Sequence, residues 1–189
     1  MIGAGAVLGA GPVRGDVGAQ VADPAGDTVN DENDSRLDVA EADIVRSAIE
    51  VVGNGIRLNV QVRKATDPRT DRAWEGDESD TGIEWELETT GDDKPDFSVE
   101  YYIDSGKITG EVTRSTDNDN EPALCELSSA TFSPEAGYTA VVDTACIRGP
   151  DSVAYAVTFF YDTDPSQANG AVASDTAPDS GMSARVGRS

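Results

Sequence analysis

Ile56-Arg-Leu-Asn-Val-Gln-Val62 decides the fold of this 189-residue chain. Apolar residues occupy positions 56, 58, 60 and 62, and polar residues occupy the positions between them. This period of two predicts a half-buried β-strand, because successive side chains of a strand point to opposite faces. The same alternation recurs over 83–88 and 97–103, where it places Trp85 and Tyr101 on the side that faces the core.

Other segments of β-forming residues are separated by turn residues such as Gly, Pro, Asn and Asp. They predict further strands at about 44–52, 107–114, 123–132, 137–147 and 153–161. Roughly eight strands with almost no helical periodicity predict an all-β fold, an antiparallel β-sandwich of the immunoglobulin-like or jelly-roll-like kind. We expect one folded domain over residues 23–186 and a short tail at 187–189.

The charge of the chain excludes several classes of function. It has 36 acidic residues, 14 basic residues and no histidine, for a formal net charge of −22. Without imidazole there is no Ser-His-Asp or Cys-His catalysis and no histidine-held zinc or haem. A surface this negative disfavours nucleic acid and anionic membranes as partners. Two roles remain for the many carboxylates. They can bind hard cations, or they can be an adaptation of the surface to high salt.

The start of the chain resembles a secretory signal. Residues 1–13 are small and apolar, and Val17-Gly-Ala19 has the small residues of a cleavage site. No basic residue precedes the apolar run, so a disordered N-terminal segment is the alternative. We expect residues 1–22 to lie outside the domain, no later segment to span a membrane, and the product to be secreted or held at the cell surface.

The two cysteines, Cys125 and Cys146, each lie in a segment predicted as a strand. A bridge between them would close a loop of about 20 residues and contribute roughly 3 kcal/mol in the chain-entropy model. We predict this disulfide because it agrees with export, with two buried free thiols as the alternative.

Acidic residues cluster before the first predicted strand and after the last. Asp23-Pro-Ala-Gly-Asp27 and Asp43 belong to the first cluster, and Asp175 belongs to the second. Calcium takes 6 to 8 oxygen ligands in flexible geometry, and turns of this composition present carboxylates and carbonyls together. The spacing is not that of an EF-hand. We predict a calcium ion that ties the two ends of the sandwich together, with Asp23, Asp27, Asp43 and Asp175 as its ligands.

Several short motifs follow one another in a recognisable order. Asp23-Pro-Ala-Gly-Asp27 precedes a strand that starts at Asp43-Ile44, and Ile83-Glu-Trp-Glu-Leu87, Pro95-Asp-Phe-Ser-Val99 and Ser174-Asp-Thr-Ala-Pro-Asp179 come later. This order resembles the DOMON-like, carbohydrate-binding-module-family-9-like β-sandwich modules of secreted and cell-surface bacterial or archaeal proteins. The resemblance implies a non-catalytic module with a structural calcium near the start of the chain, and sometimes a sugar or haem bound at one end.

The long polar segment 66–82 contains Trp74, the one large aromatic residue that no strand pattern places. A tryptophan ringed by polar groups can stack on a sugar, and Tyr102 points away from the predicted core. The alternative is that Trp74 folds back to cover an edge of the sandwich.

Two functions are therefore expected. The first is a calcium-stabilised structural or protein-interaction module at the cell surface, and the second is a carbohydrate-binding module that uses Trp74 and Tyr102. Catalysis by paired carboxylates such as Glu84 and Glu86 is a distant third, because alternating glutamates on an exposed strand face usually serve solubility. We expect no enzyme activity, and the sequence does not indicate an oligomeric state.

Overall fold

A computed structural model describes residues 18–75, 79–115, 122–166 and 171–187. The described residues form thirteen strands and one short 3₁₀ turn, Arg72–Trp74. The strands are β1 (Gly18–Ala22), β2 (Val29–Asn30), β3 (Ile44–Val52), β4 (Gly55–Val62), β5 (Gly82–Glu88), β6 (Phe97–Asp104), β7 (Lys107–Arg114), β8 (Cys125–Glu126), β9 (Ser129–Ser133), β10 (Gly137–Asp143), β11 (Ser152–Asp162), β12 (Val172–Ala177) and β13 (Val186–Gly187).

The strands form two antiparallel sheets that pack face to face as a β-sandwich, which confirms the predicted fold class. The five-stranded sheet has the order β1-β3-β4-β10-β9. The eight-stranded sheet has the order β2-β12-β11-β5-β6-β7-β8, and β13 also pairs with β11. Strand β3 contacts β12 near one lateral side of the sandwich, and β9 contacts β7 near the other.

The strongly alternating strands lie close to where they were predicted, whereas two predicted segments need correction. Segment 123–132 divides into β8 and β9, which belong to different sheets because the chain crosses between them there. Segment 137–147 is too long, because β10 ends at Asp143 and a turn follows. Strands β1, β2, β12 and β13 were not predicted, since they are short or polar.

The core is filled by the alternating residues of both sheets. Trp85 and Tyr101 are fully buried, as predicted. The alternation in β4 buries positions 56, 58, 60 and 62 and leaves the residues between them half-buried. Burial of apolar area on this scale is the main favourable contribution to folding.

The described structure revises the expected domain limits. All five residues of β1 pair with β3, so residues 18–22 belong to the sheet and not to a segment outside the domain. Cleavage after Ala19 would remove the first two residues of β1. Gly187 pairs with Ser152, so the described chain is part of the fold up to that residue. The signal-like residues 1–17 and the last two residues lie outside the described ranges.

The predicted disulfide between Cys125 and Cys146 is present, with the two Cα atoms 6.1 Å apart. Cys125 lies on β8, the edge strand of the larger sheet, while Cys146 lies in the turn after β10 of the smaller sheet and not in a strand. The bond therefore joins the two sheets on the side where β9 contacts β7.

Candidate metal centre

Five aspartates gather between the two sheets on the lateral side opposite the disulfide. Asp23 follows β1, the edge strand of the smaller sheet, and Asp27 lies in the next turn, while Asp43 directly precedes β3, the neighbour of β1. Asp175 lies on β12 of the larger sheet, and Asp179 follows that strand.

The turn at 23–27 brings the first two carboxylates to Asp43. Gly26 adopts a φ of +89°, a left-handed conformation that glycine takes without strain, and its N–H donates to Asp43 Oδ2 at 2.8 Å. Arg36 Nη2 donates to the Gly26 carbonyl at 2.6 Å and holds the turn from its other side. The short Asp-Pro-Ala-Gly-Asp segment is thus built around Asp43.

Asp175 occupies a core-facing position of β12. Its side chain alternates with those of Ala173 and Ala177, and all three residues are buried. The N–H of Ile44, at the start of β3, donates to Asp175 Oδ2 at 2.7 Å, and Thr176 N–H donates to Oδ1 at 2.9 Å. Asp175 therefore already links the two sheets through its hydrogen bond with Ile44.

The carboxylate oxygens form two groups, each with its ligand atoms within 4.8 Å of one another. Asp27, Asp43 and Asp175 form the inner triad, and Asp23, Asp27 and Asp179 form the outer triad. Asp43 is 0% exposed and Asp175 is 7% exposed, whereas Asp179 is exposed to solvent. Asp27 is common to both triads.

Three oxygens of the cluster are buried and have no hydrogen-bond partner: Asp23 Oδ2, Asp27 Oδ1 and Asp43 Oδ1. Buried polar atoms are nearly always paired, and an unpaired charged oxygen costs several kcal/mol. Arg63 Nε lies 3.0 Å from Asp43 Oδ2, and it is the one basic group in the described ranges that forms an ion pair with the cluster. A cation is the simplest partner for the remaining oxygens.

The pKa values of these aspartates also indicate a site that lacks positive charge. Burial raises the pKa of Asp23 to about 8, and the neighbouring carboxylates of Asp175, Asp179 and Asp27 add to the effect. Burial raises the pKa of Asp175 to about 7, helped by the charges of Asp27 and Asp43 and opposed by two backbone N–H groups. Burial also raises the pKa of Asp43, despite the opposing effects of Gly26 and Arg63. Without a cation, this site favours protons.

The four aspartates predicted from the sequence are thus close together, but not as one set of ligands. Asp27, Asp43 and Asp175 meet in the inner triad, and Asp23 joins through the outer triad. Asp179 ends the Ser174–Asp179 motif and was not among the predicted ligands. Its position two residues after the end of β12, the strand that carries Asp175, was the available signal.

The structure separates the two residues of the predicted sugar-binding site, because Trp74 is buried and Tyr102 is not. Trp74 is 2% exposed, with its ring stacked on that of Tyr138 at a centroid distance of 5.5 Å and edge-on to Phe159 at 5.7 Å. Its faces are therefore not available to stack on a sugar, and the residue packs into the core of the sandwich instead of covering an edge. Asp71 caps the short turn that places it, by accepting from Ala73 N–H.

Trp74 and Tyr102 nevertheless border the same cleft, which has a volume of about 780 Å³. Tyr102 is half-buried on the outer face of β6, and Glu100 and Thr81 also line the cleft. Tyr102 is thus the aromatic residue of the predicted pair that a ligand in this cleft would meet.

Glu84 and Glu86, the paired carboxylates weighed as a distant third function, lie on β5. Ser98 Oγ donates to Glu84 Oε1 at 2.6 Å, and burial raises the pKa of Glu86, assisted by the charge of Glu84. Glu88 does not lie on the exposed face. It is 1% exposed and bound to Arg185, and although burial alone would raise its pKa, hydrogen bonds from Gly91, Arg185 and Thr90 lower it.

A row of like charges crosses the outer face of the larger sheet. Glu84, Glu100, Glu111 and Glu126 are direct cross-strand neighbours on β5, β6, β7 and β8. Burial raises the pKa of Glu100, and the charges of Glu111 and Glu84 add to the effect. Like charges directly opposite each other destabilise a sheet, and salt screens them.

The fold and site define a disulfide-linked, all-β sandwich with an acidic cluster that is able to hold a metal ion between its sheets. Comparison with known protein families, curated proteins and solved structures gave no match. The similarity to DOMON-like modules therefore remains a prediction from short motifs. The described ranges contain no helix long and apolar enough to cross a membrane.

Proposed function

We propose that this protein is a secreted, non-catalytic β-sandwich module that calcium stabilises, with a structural or protein-interaction role at the cell surface. The observation that carries the proposal is the fully buried carboxylate of Asp43, whose Oδ1 atom lacks a hydrogen-bond partner beside Asp27 and Asp175. Calcium suits this donor set, because it is a hard cation that accepts carboxylate oxygens in irregular geometry.

The mechanism follows from where the ligands lie. Asp43 directly precedes β3 of the smaller sheet and Asp175 lies on β12 of the larger one, so an ion between them joins the sheets. The disulfide joins them on the opposite side. A cation that binds only the folded state adds about 2.7 kcal/mol at a hundred times its Kd. Export is supported by the disulfide, which oxidising compartments favour.

Thermal unfolding of the full chain tests the proposal. At fixed ionic strength, we expect the Tm to rise by several degrees from EDTA to millimolar calcium, and by less with magnesium. Asp43→Asn should abolish the calcium-dependent rise, whereas Asp151→Asn should retain it. Asp151 is a suitable control because it is exposed and lies about 25 Å along β11 from Phe159, the cross-strand neighbour of Asp175. A Tm that responds to molar NaCl but not to calcium would refute the proposal.

The second candidate function is carbohydrate binding, which the shared cleft of Trp74 and Tyr102 favours. Tyr102 would supply the stacking ring and Glu100 a hydrogen-bond acceptor for a sugar hydroxyl. Screening on a glycan array tests it. Tyr102→Ala should remove binding and leave the Tm unchanged, and a wild-type protein that binds no glycan would exclude this candidate on the array's range of sugars.

A further inference from the structure

The geometry of the acidic cluster does not suit a single ion. Calcium–oxygen distances of 2.3–2.6 Å place two ligands of one ion at most about 5 Å apart. Among the described residues, the carboxylate oxygens meet this limit as two separate triads and not as one set of five. Asp23 and Asp179 share a triad with Asp27 but not with Asp43 and Asp175.

One ion would also leave a buried oxygen without a partner. An ion in the inner triad has Asp27, Asp43 and Asp175 as ligands, and so accounts for the unpaired oxygen of Asp43. It does not account for Asp23 Oδ2, which is buried and has no hydrogen-bond partner, because Asp23 belongs to the outer triad and not to the inner one.

The charge of the cluster also favours more than one ion. When all five carboxylates have released their protons they carry five negative charges, and Arg63 offsets one of them through its ion pair with Asp43. A single divalent ion would leave two negative charges in a partly buried cluster, whereas two divalent ions match the four that remain. Unbalanced charge in a partly buried site is unfavourable, so the cluster as a whole favours the second ion.

We infer that the cluster binds two divalent cations, with the Asp27 carboxylate shared between them and Asp179 completing the outer site. This inference rests on the proposed function, since it assigns the number and placement of its ions. The inner ion is held by the two most buried carboxylates and links the sheets. The outer ion has an exposed ligand, binds more weakly and exchanges faster. It connects the end of β1 to the segment after β12.

Counting bound ions tests the inference. The full chain is stripped with EDTA, exchanged into volatile buffer and titrated with calcium, and native mass spectrometry reports the number of ions bound. Wild type and the Asp151→Asn control should bind two ions, in a tight step and a weaker one. Asp179→Asn should bind one and keep most of the calcium-dependent rise in Tm. This variant should fold, because the side chain it changes is exposed.

Each of the other possible ion counts would overturn a different part of the argument. A single ion in both wild type and Asp179→Asn would overturn the two-ion inference and leave the proposed calcium site intact. Two ions in both proteins would overturn the assignment of Asp179 and the outer triad. No bound ion in wild type would overturn the inference together with the proposed function.

Discussion

The stability of the cation-free protein should fall as the pH rises from 5 to 7, which is the reverse of ordinary acid denaturation. The groups responsible are Asp23 and Asp175, whose pKa values are raised from 3.8 to about 8 and about 7. In this window the native state retains protons that the unfolded chain has released, so the free energy of unfolding decreases with pH. Stability from these groups is fully present below pH 3.8 and is lost as the pH rises toward their folded pKa values.

The size of the effect follows from the same groups. One retained proton changes the free energy of unfolding by at most about 1.4 kcal/mol per pH unit. After a discount for solvent screening, Asp175 contributes about 1–2 kcal/mol between pH 5 and 7, and the half-buried Asp23 adds a smaller amount. For a domain of this size, such a loss lowers the Tm by about 2–8 °C. Ordinary carboxylates titrate near pH 4 and have little influence in this window.

The assay is a series of thermal melts from pH 5 to 7 at fixed ionic strength, in EDTA and in millimolar calcium. Calcium replaces the protons, so its presence should flatten the pH dependence, and the gain in Tm from calcium should grow with pH. Asp175→Asn should weaken the slope in EDTA, and Asp151→Asn should leave it unchanged. A Tm in EDTA that is constant or rises between pH 5 and 7 would show that these carboxylates are not held as the structure indicates.

Three further predictions concern other parts of the fold. Trp74→Ala should lower the free energy of unfolding in urea by about 3–5 kcal/mol, because it empties a packed aromatic site, and an unchanged midpoint would contradict the burial of this ring. Replacing Cys125 and Cys146 together by Ser should cost about 3 kcal/mol by the same assay, as expected for a loop of 21 residues, and the loss should add to that caused by EDTA. Glu100→Gln should raise stability by about 0.2–1 kcal/mol in low salt by relieving the row of glutamates, and a gain that persists in molar NaCl would exclude this electrostatic cause.

The strands that could be predicted are those whose pattern is local. In β4 and β5 each inward apolar residue is followed by a polar one, so the period alone reveals the strand. Strand β12 reads Val-Ala-Ser-Asp-Thr-Ala and has no such pattern, because a core-facing position is occupied by Asp175. Its strand character depends on pairing with β11, which a single sequence does not display.

The sequence by itself determined the all-β class, limited any disulfide to the one pair of cysteines and restricted the kind of chemistry that its charges allow. These properties depend on local periodicity and on composition. Only the tertiary structure decided that Trp74 is buried, that Asp179 joins the cluster and that the aspartates divide into two triads. Asp175 and Ile44 are 131 positions apart in the chain, yet they are joined by a hydrogen bond. Such proximity results from two sheets packing over a shared core, and no local property of either segment encodes it.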